Sequence, residues 1–454
     1  MSTHQTPPNI GLGSGRPANR LSLEVTEHDV IRHQQAFCEV EEGRTPHALF
    51  DDLLATTETS FGILEKANLG WLLSQCLRST EGAERLRRDL KAMPKSRQLP
   101  FYFAIALQRI NRFEDSASVL EVVLERSPED NVARKYLANA LMNTGRWAEG
   151  LREMELSRDK LPVIQKPYHA DLSRLWQGQA LDGKCLVVVG NGDRSDEIQL
   201  SRFLGVFRNL GVHKIGMVCK AELADLMRGI TGIDRVDSGY FEPFDYFITL
   251  DSLLHRFRIN AANIPLPPYV RCSARSVYRK KAQLNNQKPL LGICWRNPDS
   301  RGFDKNDLNY KIRANTIDPC LLEDHLTRAA KSYDIISFQP DVRPEEREIL
   351  QRIGCRILDV SAFENYAGIA EWMSCLDHFV TVESPLAHLA GALGIEAHVM
   401  LPHSSDWKWM IQGNESQWYP EVNVHLKKSE ACWQSCVEEV FASLIEPGHV
   451  TQAA

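Results

Sequence analysis

The chain has 454 residues, 43% of them hydrophobic and 25% charged, a mix that suits about three domains with sizeable cores and excludes a disordered, collagenous or coiled-coil chain. Its formal net charge is −6 (53 basic against 59 acidic residues), and without a long basic stripe this argues against a nucleic-acid platform. No apolar run reaches the roughly 18 residues needed to span a bilayer. The N-terminal stretch 1–20 is polar, so no membrane span and a cytoplasmic location are expected. The 11 cysteines are scattered, with no CxxC pair. Cys432 and Cys436 share only helical spacing, so reduced thiols and no metal site are expected.

The same stretch, 1–20, is rich in Pro, Gly, Ser and Asn. Its GLGSG at 11–15 has neither strand before it nor helix after it, and reads as a tail rather than a phosphate loop. An internal repeat follows, with a period of about 34 residues. Pro94, Pro128 and Pro162 are spaced by this period, as are Gly70, Ala104 and Ala138, Leu73, Leu107 and Leu141, and Gly82, Ser116 and Gly150. Leu86, Leu120 and Met154 keep the same offset, and Asn111-Arg112-Phe113 aligns with Gly145-Arg146-Trp147. Small residues where two helices cross, large apolar ones between them and a closing proline make a helix-pair unit, which resembles the tetratricopeptide repeat. Three units lie between about 63 and 165, and Ala36, Gly43, Arg44 and Ala48 suggest a weaker one before them.

After Pro162 the pattern changes to short β-branched runs alternating with helical stretches. Strands are expected at 184–190, 215–219 and 246–250, with helices at 196–210 and 221–230. A Pro-containing basic stretch, 260–288, reads as a connection. A second series opens at 289–295 and continues at 334–338, 356–360, 378–382 and 397–401. The fold class is therefore α/β: N-terminal helical repeats followed by two halves with parallel, doubly wound sheets. The expected boundaries are a tail at 1–20, repeats at 21–165, α/β halves at 166–285 and 286–446, and a tail at 447–454.

The segment Glu383-Ser384-Pro385-Leu386-Ala387-His388 carries the most chemistry. Ser384 can cap a helix that Pro385 begins. His388 then lies about one turn in, near the positive end, where exposed amides, a hydroxyl and an imidazole can hold a phosphate. An ordinary capped helix with a buried histidine would give the same local sequence.

The stretch ESPLAHLAGALG resembles a segment of bacterial tetratricopeptide-linked glycosyltransferases, relatives of heptosyltransferase-like GT-B enzymes and, more distantly, of protein O-GlcNAc transferases. The likeness continues in Asp406-Trp407-Lys408-Trp409, in Gln417-Trp418-Tyr419-Pro420, in Gly292-Ile293-Cys294-Trp295-Arg296 and in 175–183 after the last repeat. It covers about 100 to 445 in the family's order.

The resemblance implies a GT-B fold, its first half on the acceptor side and its second binding a nucleotide-sugar donor. Ser384 and His388 would contact the donor diphosphate. Glu383 stands where the family has Asp and would meet a sugar hydroxyl, an amide or a cation. Lys305, Lys311 and Arg313, in the loop 305–313, would stabilise charge on the departing nucleoside diphosphate, with Arg313 best placed by motif. Asp406 and Trp407 would complete the binding side. Asp196-Glu197-Ile198-Gln199-Leu200-Ser201-Arg202-Phe203 matches another motif, although the glycines before it are shifted to Gly190 and Gly192. Asp196 is the expected general base, with Glu197 its nearby rival; a helix-capping role for Asp196 fits the local sequence equally.

The expected function is metal-independent glycosyl transfer from a nucleotide-sugar co-substrate, with no other cofactor. The acceptor, a protein or peptide hydroxyl among the options, would be presented by the repeats. Because repeat modules often pair, a homo-oligomer is a further expectation. The alternative is a catalytically degenerate scaffold that binds protein without turnover.

Overall fold

The computed structural model describes residues 70–445 apart from 72, 75–76, 158–164, 231, 261, 285, 298–309, 312–313, 359–364, 413 and 431. The tail, the first repeat unit at 36–48, Lys305 and Arg313 lie outside the described residues.

The repeat region forms consecutive helices α1 (Ser79–Ala92), α2 (Leu99–Arg109), α3 (Phe113–Arg126), α4 (Asn131–Asn143) and α5 (Trp147–Leu156). The repeat columns have physical meaning here. Leu73, Leu107 and Leu141 are buried between helices, as are Leu86 and Leu120. Gly82 and Gly150 sit where helices touch. A Cβ on Gly82 would lie 2.5 Å from Gly70 O, and one on Gly150 would lie 2.9 Å from Ala138 O. At the equivalent position the Ser116 hydroxyl instead donates to Ala104 O at 2.8 Å. The period also marks the backbone: Leu77, Asn111 and Gly145, each one repeat after the last, all adopt positive φ (61°, 60° and 80°) at the turns between helices.

A four-stranded parallel sheet follows, in the order β3-β2-β1-β4, from β1 (Cys185–Val189), β2 (Lys214–Val218), β3 (Arg235–Asp237) and β4 (Tyr246–Thr249). Two expected helices are broken. The 196–210 stretch is a short α6 (Arg194–Leu200) running into a 3₁₀ segment, Ser201–Leu210, and 221–230 is a 3₁₀ turn followed by α7 (Ala224–Arg228). Then comes α8 (Ser252–Arg256). The supposed connection 260–288 contains a helix, α9 (Ala274–Leu284). Its charged run hid an amphipathic face; Lys280 lies over the Trp372 ring and Val277 O accepts from the Cys375 thiol.

The second sheet has eight strands, six of them parallel. They are β5 (Leu290–Cys294), β6 (Asp334–Ser337), β7 (Arg356–Ile357), β8 (His378–Val382), β9 (Ala397–Leu401), β10 (Ile411–Gln412), β11 (Glu415–Ser416) and β12 (Tyr419–Leu426). The order is β10-β11-β12-β9-β8-β5-β6-β7, with β10 and β11 antiparallel. Helices α10 (Pro319–Ala329), α11 (Pro344–Ile353), α12 (Tyr366–Met373), α13 (Pro385–Leu393) and α14 (Gln434–Ile445) accompany it.

One apolar cluster runs from Ala138, Met142 and Leu151 of the repeats through Val188 and Phe203 to Ala387 and Tyr419. The repeats and both sheets therefore share a continuous core, which fixes the position of any cleft between them. Among the described residues, no helix is long and apolar enough to cross a membrane.

Candidate functional site

The helix that follows β1, α6, packs against the helix that follows β8, α13. In open parallel sheets the carboxyl ends of strands form the ligand crevice, because loops and helix starts gather there. From the first sheet comes α6, whose N-cap Asp193 accepts from the Asp196 amide. From the second comes α13, capped by the Ser384 hydroxyl, which accepts from the Ala387 amide at 3.3 Å.

Asp196 faces the second half. Its Oδ1 accepts from Lys408 Nζ at 2.5 Å and its Oδ2 from Asn191 Nδ2 at 2.8 Å. Burial alone would raise the carboxyl, but the Lys408 ammonium and the two hydrogen bonds hold it below the usual range. Asp196 keeps its charge at neutral pH. Burial opposes the charge on Lys408, yet Asp196, Asp406 and Asp193 together raise its affinity for the proton.

Glu197, its sequence neighbour, turns the other way. Fully buried, it accepts from the amides of Gly192 (2.8 Å) and Lys220 (3.0 Å) and staples the loop from behind. Burial pushes its carboxyl up to about 7. This also accounts for the shifted glycines: a Cβ on Gly190 would sit 2.3 Å from Glu197 Oε1.

His388 is buried and stacked on the Trp409 ring, centroids 4.7 Å apart, and its Nδ1 lies 3.1 Å from the Tyr419 hydroxyl. Burial, reinforced by Lys408, pushes the imidazole down to about 3, so it is neutral near pH 7. Glu383 accepts from the Trp409 indole N–H at 3.1 Å and from Asn315 Nδ2 at 3.2 Å. Burial, with Asp406 nearby, raises its carboxyl above the ordinary value despite Lys311 and these two donors. Asp406 receives the Lys311 ammonium at 3.5 Å and caps the turn Trp407–Trp409. Asp196, Glu383, Ser384, His388, Lys311 and Asp406 thus gather around one crossing of the two halves.

Trp407 does something else. It packs edge-on against Trp147 of α5, centroids 5.5 Å apart, and ties the repeats to the second half. Lys408 and Trp409, which follow it in the same turn, reach the cluster instead. Their signal was the alternation of aromatic and basic residues in Asp406-Trp407-Lys408-Trp409. Arg202 is equally central. Buried, it donates to Gln199 O, Trp418 O and the Tyr269 hydroxyl, and lies over the Tyr419 ring at 4.6 Å. Asn315 had no readable motif.

Beside this cluster is a small pocket, open to solvent, between the repeats and the second half. Gln108 and Asn139 line one wall and Lys311, Asn315, Glu383 and Asp406 the other. Ser404 holds the rim by donating to Gln108 O at 2.7 Å.

No protein-family model matches the chain. No curated protein matches it either. Among solved structures, it is similar to the E. coli ADP-heptose lipopolysaccharide heptosyltransferase II, at 13% identity and a TM-score of 0.40, over 58% of this chain and 99% of that one. It is also similar to a mutant of the Thermobaculum terrenum O-GlcNAc transferase, at 12% identity and a TM-score of 0.27, over 93% of this chain and 88% of that one. MamA from AMB-1 matches 29% of this chain and 71% of its own, at 20% identity and a TM-score of 0.25. At such low identities and TM-scores, the chemistry has to rest on the residues of the site.

Proposed function

We propose that the chain is a glycosyltransferase that moves a sugar from a nucleotide-sugar donor to an acceptor hydroxyl presented by the helical repeats. The observation that carries this reading is the meeting of Asp196 and Lys408 at the carboxyl ends of two parallel sheets, beside neutral His388 and a capped helix start.

The chemistry follows from charge. As the anomeric carbon–oxygen bond breaks, negative charge builds on the leaving diphosphate, and fixed cations and helix amides offset it. Lys408 and Lys311 are two cations of the described cluster, with buried Arg202 behind His388; Lys305 and Arg313 are proposed to add to them. Such groups could carry the phosphate charge without a resident metal. With His388 Nδ1 engaged by Tyr419, its Nε2 is the nitrogen proposed to meet a phosphate oxygen, beside Ser384.

Lys408 cannot fully serve Asp196 and a diphosphate together. Donor binding is proposed to draw the ammonium from Asp196, and the carboxylate loses its strongest stabilising charge. Asp196 then takes the proton of the acceptor hydroxyl while that oxygen bonds to the anomeric carbon and the nucleoside diphosphate departs. Glu383 is proposed to meet a sugar hydroxyl. The pocket between Gln108, Asn139 and Asp406 supports an acceptor that arrives along the repeats, with a protein hydroxyl the favoured class.

One observation favours the scaffold reading: Asp196, Glu383 and Ser384 already have hydrogen-bond partners within the chain. Incubation with UDP-, ADP-, GDP- and CMP-sugars, with nucleotide release followed by mass spectrometry, separates the two. Transfer or slow hydrolysis of one donor class is expected. Failure of every donor to bind or be consumed would reject the enzyme and leave the scaffold.

A further inference from the structure

At the opposite ends of β8 and β9 from the cleft, three metal-ligating side chains converge. His378 opens β8, Glu396 immediately precedes β9, and His398 is the second residue of β9. Parallel pairing sets Val380 against His398, so His378 and His398 rise from the same face of the sheet. Among the described residues this is the one group of three His, Cys, Asp or Glu whose ligand atoms all lie within 4.8 Å of one another.

Two details go beyond proximity. His378 Nδ1 stands 3.4 Å from Glu396 Oε1. A tetrahedral ion with bonds of about 2.0–2.1 Å requires donor atoms roughly 3.3–3.4 Å apart, so this pair already has the spacing. That nitrogen is buried and makes no hydrogen bond of regular geometry. The third ligand has an outer partner. His398 Nδ1 lies 3.0 Å from His425 Nε2, and in the tautomer in which His398 Nδ1–H donates to His425, His398 Nε2 is left with the lone pair a metal needs. Metal-bound imidazoles are oriented by such second hydrogen bonds.

We infer that His378, Glu396 and His398 bind a divalent ion of the zinc class, with water completing the shell. Two imidazoles and one carboxylate suit that ion, whereas a magnesium or calcium site would be built from oxygens. The ion would tie the amino ends of two central strands. Five residues of extended chain, about 17 Å, separate His378 from Glu383, so this site is distinct from the proposed transfer chemistry. No spacing motif announces it, because β8, α13 and the turn into β9 intervene between the first ligand and the other two.

Full-length protein without an affinity tag, stripped with a chelator, is titrated with zinc against a chromophoric competitor and with cobalt for its visible spectrum. The expected result is one equivalent bound, a cobalt spectrum of nitrogen and oxygen ligands, and about tenfold or greater loss of affinity in Glu396→Gln and in His378→Asn. Both positions are accessible enough for the variants to fold, which circular dichroism verifies. Cys320→Ser/Cys432→Ser, which removes the two thiols exposed among the described residues, should bind as wild type does. Absence of stoichiometric binding, as a simple protonated His378–Glu396 ion pair would give, overturns the site. So does a thiolate charge-transfer band, or binding that survives in the His378→Asn/Glu396→Gln double variant.

Discussion

Lys408 Nζ lies 2.5 Å from Asp196 Oδ1, and this contact joins the turn after β9 to the first helix after β1. Gln199 of the same helix donates to Lys408 O at 3.0 Å, so backbone and side chain are gripped together. The pair is both a brace between the two sheets and the charge relationship on which the proposed chemistry turns.

Removing either partner leaves a half-buried charge with too few partners. Asp196→Asn and Lys408→Met are each expected to cost about 1–3 kcal/mol. Their effects should not add, with a coupling of about 0.5–3 kcal/mol in a double-mutant cycle measured by urea unfolding. Simple additivity would show that the contact does not brace the halves.

His388 gives a pH dependence of definite sign. Its folded value of about 3 lies below the roughly 6.5 of an unfolded histidine, so the unfolded chain binds more protons between those limits. Stability is complete above about pH 6.5 and falls as pH drops, by about 2 kcal/mol at pH 5. Glu197, raised to about 7, acts oppositely and loses stability as pH rises through its window. The difference between wild type and His388→Gln cancels that contribution. This difference should shrink steadily from pH 7 to pH 5 in thermal unfolding; a constant gap would show that His388 titrates normally.

Gly190→Ala should destabilise by about 1–3 kcal/mol, because its Cβ would meet Glu197 Oε1 at 2.3 Å and Val218 O at 2.9 Å. Gly239→Ala, where the Cβ would have nothing within 4 Å, serves as the control and should stay within about 0.5 kcal/mol. Equal effects in chemical denaturation would remove Glu197 from behind the loop.

Gly145 tests the repeat register. It has φ +80° with open space around it, so Gly145→Ala adds backbone strain alone, about 1–2 kcal/mol. Gly145→Asn should cost less, since asparagine tolerates this region and already occupies it at Asn111. A neutral alanine would mean that the turn is not held in that conformation.

Much of this architecture was legible because it is local. The repeat columns report helix crossings, and the β-branched runs at β1 and β8 report buried parallel strands. Ser384 and Pro385 announce the start of α13 by capping chemistry that needs no tertiary contact. The misses share another cause. α9 was hidden by a basic stretch whose apolar face is defined by α12. Glu197 and Asp196 are adjacent in sequence, and only the position of β2 decides which one turns inward. Lys408 and Trp409 belong to the same motif as Trp407, and nothing local separates their roles. The partner that draws Trp407 away, Trp147, lies in the repeats, far earlier in the chain.

The central claim is that Asp196 serves the transfer of a sugar from a bound nucleotide donor. The most direct test is a single-turnover measurement at saturating donor and acceptor, comparing wild type with Asp196→Asn. The account predicts a chemical step slowed by about 10²–10⁴-fold while the donor binds as tightly as in wild type or more so, because Lys408 is released from Asp196. An unchanged rate in Asp196→Asn, with the donor still bound, would contradict it.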